Sequence, residues 1–226
     1  MQIVILAAGR GTHMSDLTNS VPKPMLEING KPILAYKLEA LPPEIDEVIF
    51  VIGYLGNQIQ EYFGNFYAGK KISYVVQAEL NGTGGAMQLV KDLVENDFLV
   101  MMGDDLYMQK DIVNLIKHNL AMLTCELENP SQFGIVSVDE SGKLLEIAER
   151  KNIIGFGLVN TGLYKLNKSF FDFALVPIGK GEFGLPQTLA TMTDQYDVMI
   201  EKATNWFPIG NPTDLENASA VISKFI

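Results

Sequence analysis

Three short stretches of this chain carry residue types and spacings that suit the handling of phosphates. The first is Leu6-Ala7-Ala8-Gly9-Arg10-Gly11-Thr12. Small residues after an apolar run let backbone N–H groups approach anionic oxygens unobstructed, although a plain tight turn uses the same residues. The string holds neither Gly-x-Gly-x-x-Gly nor the loop pattern ending in Gly-Lys-Ser/Thr, which disfavours a nicotinamide cofactor and a P-loop NTPase. The second stretch is Pro22-Lys23-Pro24, where a lysine between two prolines is a restrained point charge. Such a charge suits a phosphoryl group in flight, but a lone loop lysine is more often simply solvated. The third is Gly103-Asp104-Asp105, after the apolar run Phe98–Met102. Its carboxylates can hold a hard cation that bridges phosphate oxygens, or they form an acidic turn.

These stretches need elements to position them. Ile3–Ala8 is a short apolar run rich in Ile and Val, the pattern of a parallel strand covered on both faces. A polar loop runs through Pro24. Lys31–Leu41 then reads as a helix, with Ile33, Leu34, Leu38 and Leu41 at helical spacing, ended by Pro42-Pro43. Strands are expected at Glu47–Ile52, Lys71–Val76 and Phe98–Met102, with helices at Asn57–Phe63 and Gly84–Val94 between them. Thr83 is a candidate N-cap for the second of these helices. The β-α-β-α order argues for an open, mostly parallel α/β sheet whose ligands sit outside the carboxyl ends of the strands.

Beyond Lys117 the rhythm changes to a mixed or antiparallel half. Met122–Leu127, Gly134–Val138, Lys143–Ala148, Gly155–Tyr164 and Tyr196–Lys202 read as strands, several joined by short turns such as Asp139-Glu140-Ser141-Gly142. Lys168–Ala174, Leu185–Thr193 and Asp214–Phe225 read as helical. The expectation is one domain over 1–226, with halves at about 1–117 and 118–226. No internal repeat is visible, and no hexapeptide repeat predicts a β-helix.

Composition narrows the function classes. A formal net charge of −10 over 226 residues disfavours a nucleic-acid partner, because backbone binding needs a surplus of Lys and Arg. Any anionic ligand must be held locally. The N-terminal apolar run is too short for a membrane span or a signal core, so no membrane association and a cytoplasmic location are expected. Cys125 is the only cysteine, which excludes an intrachain disulfide and a multi-cysteine metal site. Its largely apolar neighbourhood predicts a buried, inert thiol.

Taken together, Leu6 to Thr12, Leu17-Thr18, Pro22-Lys23-Pro24-Met25-Leu26 and Gly30-Lys31-Pro32-Ile33-Leu34 resemble the opening of the sugar-phosphate nucleotidyltransferases, which make nucleotide sugars. The resemblance runs on through Gln77, Asn81–Ala86, Gly103-Asp104-Asp105, Phe133–Val136, Glu149-Arg150, Asn160–Tyr164 and Trp206–Pro212. It implies a three-layer, Rossmann-like fold with a mixed or antiparallel sugar-binding half. It also implies that a nucleoside triphosphate and a sugar 1-phosphate are the partners and that Mg²⁺ is the cofactor. On this likeness Leu6, Ala8, Gly9, Gly11, Thr12, Gln77, Gly82 and Thr83 bind the nucleotide, and Lys23 and Asp104 are catalytic. Asp104 is also the metal ligand, and Gly134, Glu149, Arg150 and Asn160 bind the sugar. The chemistry is consistent: an amide such as Gln77 both donates and accepts, and a carboxylate accepts from sugar hydroxyls.

The chain departs from the family pattern at three positions. His13 stands where the family usually carries an arginine that clamps the leaving pyrophosphate, and histidine's charge comes and goes near neutrality. Arg10, three residues back, is the candidate substitute. Pro208 stands where a second metal-binding aspartate is usual, and Arg150 where lysine is usual. Two further readings therefore accompany the enzyme: a binding or regulatory module that kept the pocket, and a glycosyltransferase. The base, the sugar and the oligomeric state stay open.

Overall fold

A computed structural model describes residues 1–149 and 155–226. The apolar runs become the central strands: β1 (Gln2–Ala7), β2 (Glu47–Ile52), β3 (Lys70–Val76) and β4 (Asp97–Met102). All run parallel, in the order β4-β1-β2-β3. Side-chain alternation explains why β1 must be apolar throughout. Ile3 and Ile5 enter one core with Leu34, Leu38, Phe50, Ile59 and Met101, whereas Val4 enters the other with Val51, Met87, Val100 and Leu189.

Helices α1 (Ile33–Ala40), α2 (Gly56–Phe63) and α3 (Gly82–Val90) connect these strands, and α4 (Gln109–Ile116) follows β4. The sequence reading had no element at α4, although Ile112 and Leu115 are buried at helical spacing. Buried Asp111 fixes its position by accepting from the Thr204 amide and hydroxyl at 2.8 and 2.9 Å.

The second half continues the same sheet. Strands β5 (Ala121–Glu128), β6 (Gly134–Val138), β7 (Leu144–Glu149) and β8 (Phe156–Asn167) follow α4. The long β8 pairs antiparallel with β4, β5 and β6, so one continuous strand joins the two halves. A hairpin of β9 (Val176–Gly179) and β10 (Glu182–Gly184) precedes α5 (Leu185–Thr191). Strand β11 (Met199–Lys202) then runs parallel to β5. Tyr196, expected as its start, instead closes a turn on the Met192 carbonyl. Lys168–Asp172 forms a short 3-10 turn where a helix was expected.

Helix α6 (Pro212–Val221) begins two residues before the expected Asp214, because Asn211 and Asp214 form a reciprocal capping box with Pro212 in the first turn. Its Ala218 joins Met14, Ile28, Ile33 and Ile209 in a third core that pins the long loop after β1. Among the described residues no helix is long and apolar enough to cross a membrane.

Candidate functional site

The carboxyl ends of β1 and β4 meet beneath the glycine loop. The Gly103 amide donates to the Leu6 carbonyl at 2.9 Å, which places Asp104 beside the start of that loop. Gly11 holds a left-handed conformation at φ +64°, and a β-carbon there would lie 2.9 Å from Lys23 Cβ and 3.1 Å from Thr18 Cγ2. Only glycine lets the loop close onto Lys23 in this way. The Lys23 ammonium, 13% exposed, donates to Asp104 Oδ2 at 2.5 Å. An ammonium has three donors, so two remain for phosphate oxygens.

Leu6, Ala8, Gly9, Gly11, Thr12, Lys23, Gln77, Gly82, Thr83 and Asp104 all line one cavity of about 430 Å³. The structure thus brings together every residue expected to touch the nucleotide. Arg10 and His13 stand on the same wall, with the Arg10 guanidinium 5.4 Å from the centre of the Tyr54 ring. Gln77 is buried, and its amide NH₂ donates to Asn81 Oδ1 at 3.0 Å and to the Gly82 carbonyl at 3.1 Å. Thr83 is not an N-cap. Asn81 holds that position, and the Thr83 hydroxyl instead accepts from the Leu185 amide at 3.0 Å, tying α3 to α5.

A second cavity, of about 570 Å³, adjoins the first and shares Thr83 and Met102 with it. Phe133, Asn160, Ile178, Gln187, Trp206 and Pro208 are among its walls. Asn160 is where the sequence reading puts it, with its amide donating to the Tyr164 hydroxyl and accepting from the Gly162 amide. Gly134 does not line either cavity; its neighbour Phe133 does, edge-on to Trp206 at 5.3 Å. Gly134 pairs in the sheet with the backbone of Glu149, while Arg150 lies outside the described residues.

Two adjacent aspartates face different cavities. Asp104 lines the first and Asp105 the second, where Trp206 Nε1 donates to Asp105 Oδ2 at 3.3 Å. Burial pushes the Asp105 carboxyl up to about 7, with the Asp104 charge adding to the rise and the Lys37 and Lys23 charges opposing it. Beneath the pair lies buried Lys37, which donates to the Asp105 carbonyl and sits 4.5 Å from the Tyr107 ring centre. Burial lowers its ammonium to about 8 against the pull of Asp105 and Asp104.

The sequence reading missed Lys37, yet a signal was there. It stands four residues after Ile33 and three after Leu34, on the apolar side of a helix. Glu182, which lines the first cavity from the hairpin, had no comparable local signal.

The residues present suit a divalent cation in one way. Asp104 lines the first cavity with one oxygen held by Lys23, whereas Pro208 has no side-chain ligand to give. Among the described residues no three His, Cys, Asp or Glu side chains gather as a cation site. Mg²⁺ is commonly bound through one or two carboxylates plus substrate phosphates and water, a pattern that Asp104 beside a phosphate loop satisfies.

The comparisons agree with this geometry. The sequence profile of the nucleotidyl transferase family matches residues 2–224. The bifunctional protein GlmU of Methanococcus vannielii is 32% identical over 235 residues, covering 100% of this chain and 56% of that protein. The chain therefore spans about half the length of the GlmU relatives it matches. The D-glycero-alpha-D-manno-heptose 1-phosphate guanylyltransferase of Campylobacter jejuni is 37% identical over 180 residues, 77% of this chain and 80% of that one. A crystal structure of UDP-glucose pyrophosphorylase with UDP-glucose superposes with a TM-score of 0.84 over 99% of this chain and 98% of that chain, at 20% identity, which shows the shared fold. From the glycine loop closed on Lys23 to the profile match along nearly its whole length, this chain belongs to the nucleotidyl transferase family.

Proposed function

We propose that this protein joins a nucleoside triphosphate to a sugar 1-phosphate, giving a nucleotide sugar and pyrophosphate. The observation that carries the reading is the pair of adjoining cavities. One has the glycine loop, Lys23 and Asp104, the other has Asn160, Trp206 and Asp105, and Thr83 and Met102 belong to both. The name of the guanylyltransferase relative supports it.

In this reading an oxygen of the sugar 1-phosphate attacks the α-phosphorus, a new P–O bond forms, and the bond to the β-phosphate bridging oxygen breaks in line with it. Pyrophosphate leaves with that electron pair. The loop amides around Gly9 and Gly11 hold the triphosphate, and the spare Lys23 donors steady the charge that spreads over the transferring group. Asp104, with the Lys23 ammonium on one oxygen, orients that lysine. Mg²⁺, held by Asp104 and phosphate oxygens, would supply further charge neutralisation at the triphosphate. No covalent nucleophile is required.

The proposed division of labour follows the chain, with residues 1–117 for the nucleotide and 118–226 for the sugar within one domain. A nucleoside triphosphate substrate fits a cytoplasmic setting, with no nucleic acid or membrane as partner. Release of pyrophosphate across a grid of nucleoside triphosphates and sugar 1-phosphates tests the reading. Turnover with at least one pair supports it. Nucleotide-sugar binding without turnover would instead mark a binding module, the reading that Pro208 on the second cavity's wall favours.

A further inference from the structure

Within that reading, which this inference rests on, the base end of the first cavity has a definite hydrogen-bonding polarity. The Gln77 NH₂ group has both its hydrogens engaged, one by Asn81 Oδ1 and one by the Gly82 carbonyl. A backbone carbonyl only accepts, so the orientation of this amide is settled and Gln77 Oε1 is the atom left for a ligand. It is an acceptor.

A second acceptor comes from far along the chain. The hairpin of β9 and β10 docks on the start of α3, with the Phe183 amide donating to the Asn81 carbonyl at 2.9 Å. The docking is close: Gly82 has φ +86°, and a β-carbon on it would lie 2.4 Å from the Phe183 carbonyl oxygen and 3.2 Å from Glu182 Cβ. Gly82 thus accepts from the Gln77 amide through its carbonyl, and a β-carbon built on it would meet Glu182. Gln77 and Glu182 both line the nucleotide cavity with Leu80, Thr83 and Ala86. Glu182 is exposed, lines the cavity, and among the described residues its carboxylate pairs with no donor. The opening turn of α3 adds amides that have no intrahelical acceptor.

Each base fits this arrangement differently. Guanine presents one acceptor, O6, followed by two donors, N1–H and the N2 amine. Uracil and thymine also offer a central N–H, but an oxygen flanks it on either side, and a carboxylate beside it meets no donor. Adenine and cytosine place a ring-nitrogen acceptor opposite Gln77 Oε1. We propose that Glu182 and Gln77 together select guanine, with Glu182 reading the N2 amine and Gln77 the N1–H, so that GTP is the nucleotide used.

The test is calorimetric binding of GTP, ITP, UTP, ATP and CTP, with Mg²⁺, to the wild-type chain and to Glu182→Ala. ITP lacks the N2 amine and keeps O6 and N1–H, so GTP and ITP with the two proteins form a cycle that isolates one contact. A charge-assisted hydrogen bond corresponds to about tenfold to a hundredfold in affinity. Wild type should bind GTP tighter than ITP by that factor, and tighter than UTP by at least as much. Glu182→Ala should bring GTP down to the level of ITP, while its ITP affinity stays within about twofold of wild type, which also reports an intact fold. Equal wild-type affinities for GTP and ITP, preference for UTP, or a GTP-to-ITP ratio untouched by Glu182→Ala would overturn the inference while leaving the proposed reaction standing. Binding of no nucleotide at all would overturn both.

Discussion

Two glycines of one loop should fail in opposite ways, which separates what the fold requires from what a ligand requires. Gly11 has φ +64°, and an added methyl would meet Lys23 Cβ at 2.9 Å and Thr18 Cγ2 at 3.1 Å. Left-handed backbone costs a non-glycine residue about 1–2 kcal/mol. Relieving the contact needs roughly half an ångström of retreat toward ordinary carbon separation of about 3.5 Å, and overpacking of this kind costs about 1–3 kcal/mol. Gly11→Ala should therefore lose about 2–5 kcal/mol in denaturant unfolding. It should also displace Lys23 from Asp104, lowering turnover by about tenfold to a hundredfold, since misplacement by an ångström costs about a hundredfold. Gly9, by contrast, has no positive φ and nothing within 4 Å of an added β-carbon, yet it lines the nucleotide cavity. Gly9→Ala should keep its stability within about 0.5 kcal/mol and lose about tenfold in triphosphate affinity, because the methyl occupies space that a phosphate needs. Denaturation midpoints and nucleotide titrations on both variants read the contrast. A Gly11→Ala protein with wild-type stability and turnover would refute the clamp on Lys23. A Gly9→Ala protein that is destabilised but binds nucleotide normally would refute the phosphate role of the loop.

Other consequences follow from single contacts. Asp104→Asn removes the charge that pairs with Lys23 and should cut turnover by about 10²–10³-fold, with more Mg²⁺ needed for half-maximal rate; an unchanged metal requirement would contradict its role. Gly82→Ala puts a methyl 2.4 Å from a backbone oxygen of the hairpin, so it should lose at least about 2 kcal/mol of stability and weaken nucleotide binding, both read by titration. Cys125 is half-buried rather than fully buried as expected, and that partial burial, aided by the Asp111 and Glu126 charges, raises its thiol above the ordinary range. Its alkylation should therefore be slower than that of a free thiol at pH 8 and should keep accelerating as pH rises past 9, whereas rapid labelling at pH 7 would contradict this.

What could be read in the sequence was what depends on local pattern. Strand β1 was placed within one residue of each end because burial on both faces demands an unbroken apolar run, and Glu47–Ile52 and Gly134–Val138 were placed at their observed ends. On the nucleotide wall, local pattern singled out the glycine loop, the proline-flanked Lys23 and Asp104 after the apolar run, whereas Gln77, Gly82 and Thr83 were legible only through the family resemblance. The hairpin of β9 and β10 was not legible, since Pro177, Gly179 and Gly181 look like a loop and only docking on Gly82 and Gly84 defines it. Glu182 was hidden for the same reason. Lys37 was missed through the habit of placing lysines in solvent, although its spacing from Ile33 and Leu34 put it on a buried face. Gly134, expected at the sugar, pairs in β6 with Glu149 and stands outside both cavities, while Phe133, in the turn just before the strand, forms part of the second cavity's wall.

In the proposed reaction the two adjoining cavities form one reaction chamber. The most direct measurement is pyrophosphate release by the purified chain with Mg²⁺, across nucleoside triphosphates paired with sugar 1-phosphates, beside Lys23→Met. Release is expected with at least one pair, dependent on both substrates together and reduced at least about a hundredfold by Lys23→Met. Release that needs no sugar phosphate, or that Lys23→Met leaves intact, would contradict it.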